Sequence, residues 1–232
     1  MKRSELNQIM RDAIRFIDEN HFALPPFVTW TYEEWQDKNS EYDEIKDCML
    51  GWDITDFGSG DFEKEGLLMI TLRNGSFYDS RYDKPYAEKL LITREGQVTP
   101  YHFHWKKQED IINRGGGTLV IQCYNSGPEG EMLDTPVTVF KDGRRYQVEA
   151  GERVEIHPGE SISLPMGLYH TFVAEGGPCL IGEVSRTNDD NVDNRFYKET
   201  GRFPEIEEDE AILYPLFNEY PNMPEKRHDK EG

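Results

Sequence analysis

Basic residues are scarce in this 232-residue chain. Lys plus Arg number 26 against 45 Asp plus Glu, giving a formal net charge of −19 and a sequence pI near 4.7. So acidic a surface has little with which to displace the counterions of a phosphate backbone or to settle on an anionic bilayer, so neither nucleic acid nor membrane is expected as a partner. Cysteine is scarce too: Cys48, Cys123 and Cys179 are odd in number, far apart and in no CxxC pair. That spacing argues against a disulfide framework and a thiolate zinc knuckle, and the three read as small buried hydrophobes. No apolar run approaches the roughly 18–20 residues of a membrane span, and the opening MKRSELNQIM lacks the apolar stretch of a secretory signal. A soluble, cytoplasmic protein is therefore expected. What the chain does have is 36% hydrophobic and 12% aromatic residues, enough to build a core and to disfavour wholesale disorder.

Three regions follow from the patterning. Residues 1–65 read as a helical segment packed on something larger. Within it, residues 4–20 place Leu6, Ile9, Met10, Ala13, Ile14 and Ile17 at helical spacing, with Ser4 as the candidate N-cap and Glu5 in the first turn. Two shorter helices are expected over 32–38 and 42–49, and Trp30, Trp35 and Trp52 read as packing residues. From about Gly66 to residue 203 the period becomes that of strands. LLMITLRN, EKLLITRE, TPYHFHW, GTLVIQCYN, TPVTVF, RRYQVEA, RVEIH, SISLPM, YHTFVAE and PCLIGEVSR are rich in Val, Ile, Thr and aromatics and are punctuated by Gly-containing turns. Many short strands without intervening helices mean a β-sandwich or barrel, so the fold class is mainly β with an N-terminal helical segment. Residues 204–232 form an acidic extension in which EIEEDE reads as a solvated face or helix start, and its last ten residues are expected to be mobile.

A single histidine is more often a surface or satisfied core residue than a ligand. His102 and His104 differ because alternate residues of a strand share a face, so both imidazoles point to one side. Glu109 follows closely enough to fold back to the same place. Two imidazoles and a carboxylate leave open positions on a first-row divalent metal such as Mn, Fe, Co, Ni or Zn. The surrounding spacing is specific: Gly96, five residues, His102-Phe103-His104, four residues, Glu109, six residues, Gly116; then Gly159, five residues, Pro165-Met166-Gly167, two residues, His170. Both halves resemble the two signature motifs of the cupin superfamily, whose members are jelly-roll β-barrels. One departure is Ala174, where that second motif usually carries Asn. The resemblance implies His102, His104, Glu109 and His170 as metal ligands; His157 belongs to neither motif and reads as structural.

Turn arithmetic adds candidates that the motifs do not name. A two-residue turn at Gly176-Gly177 would set Glu183 opposite His170, and one at Glu95-Gly96 would set Lys89 opposite His102. Pro178 is the weak point of the first hairpin, since it has no N–H with which to close the pair, and a bulge in either would break the inference. The plainer alternative for each of Glu183 and Lys89 is an inward salt-bridge partner or an outward solvated charge.

A metal, a carboxylate not bound to it and a nearby ammonium suit proton abstraction beside a carbonyl, which is the chemistry of aldose–ketose isomerisation. The ligand set alone would equally serve an iron or copper oxygenase, or a non-catalytic sugar-binding cupin. MKRSELNQIM, HFALPPF, HFHWKKQEDIINRGGG and GEVSRTNDDNVDNRF together resemble the bacterial D-lyxose isomerases, a cupin sugar-isomerase family, over most of the chain. The resemblance implies interconversion of D-lyxose with D-xylulose and of D-mannose with D-fructose, a small-molecule sugar substrate, manganese as the usual metal, and a homodimer. With it, Glu183 is the expected base, Lys89 or Lys107 the cation, and the polar run Asn188, Asp189, Asp190, Asp193 and Arg195 a source of candidate sugar-hydroxyl contacts, though an acidic loop is the plainer reading of any single member.

Overall fold

The computed structural model describes residues 1–221, so the expected mobility of the last ten residues lies outside the described residues. Helix α1 (Arg3–Glu19) forms where the apolar stripe requires it, and Leu6, Ile9, Met10, Ala13 and Ile17 are buried. Its N-cap is Lys2 and not Ser4. The Glu5 carboxylate turns back to accept the Lys2 N–H at 2.7 Å, while the Ser4 hydroxyl donates to Asp209 at 2.8 Å. Two short helices follow, α2 (Tyr32–Gln36) and α3 (Asp43–Asp47), each shorter than its sequence pattern. Thr31 and Glu34 cap the start of α2, and a 3-10 turn at Ser40–Tyr42 takes up the residues before α3. Trp35 and Trp52 are buried as packing residues.

The remaining elements are strands: β1 (Gly51–Thr55), β2 (Leu67–Arg73), β3 (Tyr86–Thr93), β4 (Val98–His104), β5 (Glu109–Ser126), β6 (Met132–Leu133), β7 (Val137–Lys141), β8 (Arg144–Val148), β9 (Arg153–Ile156), β10 (Ser161–Leu164), β11 (Tyr169–Arg186) and β12 (Asn194–Phe196). Strand β1 corrects the all-helical reading of 1–65. Each of its residues is buried, so it carries no polar–apolar alternation to reveal it. The same holds for most of β2, where Leu68, Ile70 and Leu72 pack with α1 while Leu67 and Met69 face the barrel interior.

Strands β5 and β11, 18 residues each, pair along almost their whole length and organise the barrel. Beyond β11, its C-terminal half carries β3, β2 and β1 in succession, and its N-terminal half carries β4 and then β12. Beyond β5 lie β10, β9 and β6 in turn. Both long strands therefore change neighbours midway, at Gly115-Gly116-Gly117 and Gly176-Gly177, where the ladder register shifts. A side chain at Gly116 would meet the Pro178 carbonyl at 2.0 Å, and Gly116 and Gly177 hold φ of 92° and 128°, so glycine allows both strands to bend at one place. The expected hairpin at Gly176-Gly177 is thus a bend in a continuous strand. Missing the N–H of Pro178 makes a bulge cheaper than a closed two-residue turn.

The result is the jelly-roll barrel of the cupins, with its main core inside and a second core between α1 and the outer face of β1, β2 and β3. The EIEEDE run is not a helix start. Glu208 binds Arg3 at 2.7 Å, Asp209 binds Ser4, and Glu210 accepts from Asn7, so these acids clasp the first turns of α1, where the helix dipole favours negative charge. Among the described residues no helix is long and apolar enough to cross a membrane.

Candidate active site

Strand alternation aims His102 and His104 into the barrel together, and the antiparallel pairing of β4 with β11 sets His170 directly opposite His102. The ring centroids lie 4.3 Å (His102–His170), 5.0 Å (His102–His104) and 5.4 Å (His104–His170) apart. Glu109, the first residue of β5, brings Oε1 to 3.3 Å from His104 Nε2 and 3.2 Å from His170 Nε2.

The other ring nitrogens define the tautomers. His102 Nδ1 lies 2.8 Å from the Pro100 carbonyl, His170 Nδ1 3.0 Å from the Leu168 carbonyl, and His104 Nδ1 2.7 Å from Asn194 Oδ1. A carbonyl oxygen only accepts, so each Nδ1 carries the hydrogen and each Nε2 presents a lone pair. Burial holds His102 well below the ordinary histidine range and His104 below it, which keeps both rings neutral at pH 7. The Nε2 atoms of His104 and His170 are buried without a hydrogen-bond partner. Lone pairs and a carboxylate oxygen therefore converge with no hydrogen among them, an arrangement that a bound cation would satisfy. The three imidazoles, with ligand atoms within 4.8 Å of one another, fit a divalent metal, and their Nδ1 bonds orient them for it.

The second wall of the site is charged. Lys107 Nζ lies 2.8 Å from Glu109 Oε2, 3.0 Å from Glu183 Oε1 and 3.9 Å from Asp190 Oδ1. Burial alone would lower the Lys107 pKa, but these three carboxylates outweigh it and push the ammonium well above its usual range. Burial likewise opposes charge on Glu109, and the Lys107 ammonium holds that carboxyl well below its usual range all the same. Lys89 Nζ donates to Asp190 Oδ2 at 2.6 Å and Asn188 Oδ1 at 2.9 Å, and stands 3.6 Å from Glu183 Oε1. Partial burial opposes charge on Asp190, yet Lys89 and Lys107 hold it far below the usual carboxylate range. The Ser185 hydroxyl donates to Glu183 at 3.0 Å. Arg202, from the segment after β12, pairs with Asp53 on β1. The walls enclose a cavity of about 490 Å³, its mouth included.

The sequence matches the D-lyxose isomerase family over residues 1–220. It is 45% identical to the D-lyxose/D-mannose isomerase of Escherichia coli O157:H7 and 46% to that of Serratia proteamaculans, in each case over 95% of this chain and 98% of the relative. The chain belongs to the D-lyxose isomerase family. This makes it a sugar isomerase of the D-lyxose/D-mannose isomerase type and decides among the three activities that the ligand set left open. The fold agrees: L-ribose isomerases of Cellulomonas parahominis (TM-score 0.58, 13% identical) and Acinetobacter sp. DL28 (TM-score 0.59, 14% identical) share it over 89% of this chain and 98% of theirs.

In this isomerase His102, His104, Glu109 and His170 converge, and Glu183, Lys89 and Lys107 meet beside them. The routes differ from the turn arithmetic. Strands β3 and β4 do not pair with each other but lie end to end along β11, so the expected partners are exchanged: Glu183 opposes Lys89, and His170 opposes His102. Strand parity still turns all four inward.

Two candidate sugar contacts fall elsewhere. Asp193 spends both carboxylate oxygens on the Lys106 and Lys107 N–H groups, at 2.8 and 3.0 Å, and so orients the Lys107 loop. Arg195 is exposed, on the face of β12 opposite Asn194 and Phe196, with its guanidinium beside Gly130. His157 is half or more exposed, beside Thr118 and Glu155, consistent with a structural reading. The residues missed were Asn194 and Arg202. Asn194 pairs across from His104, and recognising β12 as a strand would have turned it inward between Asp193 and Arg195. Asp190, one of the candidate hydroxyl contacts, accepts from Lys89 at the site, and no local signal marks Arg202.

Proposed function

We propose that the chain is a metal-dependent aldose–ketose isomerase that interconverts D-lyxose with D-xylulose and D-mannose with D-fructose through an enediol. His102, His104, Glu109 and His170 would hold the divalent cation, manganese first among Mn, Zn, Co, Ni and Fe. When bound, it supplies Lewis acidity to the carbonyl and neighbouring hydroxyl oxygens of the sugar. Glu183 takes the proton from C2 of the open-chain aldose as a C1–C2 double bond forms and O1 takes up the negative charge. The proton of the O2 hydroxyl then passes to O1, Glu183 returns its proton to C1, and O2 becomes the ketone oxygen. Lys107 and Lys89 hold positive charge beside the oxygens as negative charge develops, and the closed barrel excludes bulk water. The observation that carries this reading is Glu183 itself. It is a buried carboxylate outside the histidine cluster, yet it is tied to that cluster through the Lys107 bridge to Glu109.

The test is turnover of D-lyxose and D-mannose by purified protein supplied with manganese, followed as ketose formed, before and after chelation. Turnover that survives complete metal removal sinks the metal-dependent mechanism. We also assign a homodimer, because the outer face around β4 and β12 carries exposed Trp105, Met166, Val192 and Tyr197 with no helix over it among the described residues, unlike the face under α1. Sedimentation of wild type and Trp105→Lys checks this: dimer against a weakened dimer. Three buried free thiols suit a reducing compartment, and we place the enzyme in the cytoplasm.

A further inference from the structure

We infer that Phe57 sets how long a sugar the cavity takes, and with it the preference between pentose and hexose; this rests on the isomerase reading above. Phe57 follows β1 in a turn closed by the Ser59 N–H donating to the Asp56 carbonyl at 2.9 Å. Both central residues have positive φ, 52° at Phe57 and 76° at Gly58. Such a turn normally places Asn, Asp or Gly first, because a bulky side chain in the left-handed region crowds its own backbone. The other non-glycine residues with positive φ have local reasons: His21 and Met49 close helices α1 and α3, and Asp142 heads the Asp142-Gly143 hairpin turn. Phe57 has no such reason in its turn.

The surroundings hold it there instead. The Phe57 N–H donates to the Thr55 hydroxyl at 2.9 Å, and its carbonyl accepts from the Gly201 N–H at 2.8 Å. Gly58 and Gly201 pack so closely that a side chain on either would meet the other's Cα at 2.9 Å. The outcome is a buried ring on the cavity wall, set edge-on to Phe196 at 5.6 Å, and Phe196 lies 5.4 Å from the His102 ring. Phe57 therefore stands one aromatic ring beyond the metal-binding histidines. Backbone strain kept where a side chain lines a cavity points to a role for that side chain.

C1 and C2 of the sugar must sit at the histidines and Glu183, so the far end of the chain meets the wall beyond. D-Lyxose and D-mannose differ by one hydroxymethyl group at that far end. The other apolar side chains on the cavity, such as Leu67, Met69, Leu91 and Phe172, are carried by paired strands, whereas Phe57 comes from a turn. Its ring is thus the part of the wall that can change without disturbing the sheet.

The experiment compares kcat/KM for D-mannose over D-lyxose in wild type, Phe57→Leu and Phe57→Asn. Asparagine suits the turn and removes the ring. The ratio is expected to rise about tenfold or more in Phe57→Asn, chiefly through a lower KM for D-mannose, the scale of a one-carbon change in a fitted pocket. Phe57→Leu should fall between, and it carries the test if the asparagine variant fails to fold. A ratio within twofold of wild type in a folded, metal-loaded variant overturns the inference. A wild type that turns over neither sugar overturns the isomerase reading, and this inference with it.

Discussion

The two walls of the site solve opposite electrostatic problems. On the histidine wall, His102, His104 and His170 each commit Nδ1 to a carbonyl, and two of the Nε2 atoms have no partner. On the charged wall, Lys89 and Lys107 are engaged by Glu109, Glu183 and Asp190 within a few ångströms. One wall is short of a cation and the other sets two ammoniums against three carboxylates, of which Glu109 belongs to both walls. On the proposed mechanism, the difference means that metal capture and proton transfer would be built separately and joined at one carboxylate, so each should fail in its own way.

The largest effect is expected from the unsatisfied wall. His170→Ala removes one of the converging lone pairs and should cost several kcal/mol of transition-state stabilisation, a loss of roughly a thousandfold or more in kcat/KM. Metal analysis of the purified variant should show the loss of the ion, and a fully loaded His170→Ala protein would break the distinction between the walls. Glu183→Gln keeps the size and the Ser185 bond but cannot accept a proton. It should lower kcat about 10²–10⁴-fold with metal content unchanged, and loss of metal on this substitution would show the walls to be one unit.

Asn194→Ala sharpens the comparison from the side. It releases His104 Nδ1 without touching a charged group, so metal affinity is expected to weaken about 10–100-fold, read by titration of the apoprotein. Saturating metal should restore most of the activity. The smallest effect lies far from both walls, at the clasp of Arg3 by Glu208 and Glu219. Arg3→Ala should lower stability by about 1–3 kcal/mol, seen in denaturant unfolding, with turnover intact. Arg3 holds the Glu208 carboxyl below its usual range. The clasp therefore contributes fully above the ordinary glutamate pKa and is lost as pH falls through the depressed folded value, so wild type and Arg3→Ala should converge in stability in acid.

Much of the histidine wall was legible because its information is local. His102 and His104 share a strand face by alternation, and Glu109 and His170 sit at fixed motif spacings. Helix α1 was legible for the same reason, through its apolar stripe. The charged wall was legible only in its membership. Glu183 and Lys89 were found by a register argument whose hairpins do not exist, and they survive because strand parity is unchanged by which neighbour a strand chooses. Strand β1 stayed hidden because burial on both faces erases alternation. Asp193 and Arg195 were misplaced because a polar run does not reveal which side chains satisfy backbone N–H groups and which face out.

The sequence by itself determined the strand-rich architecture and the shared face of His102 and His104, since each depends on periodicity over a few residues, while the resemblance to the cupin motifs added Glu109 and His170 to them. Only the tertiary structure decided how β5 and β11 bend at their glycines, which strands lie along each half, and that Asp190, Asn194 and Arg202 complete the site. Those choices depend on contacts between segments far apart in the chain, where packing and burial rather than local preference set the outcome.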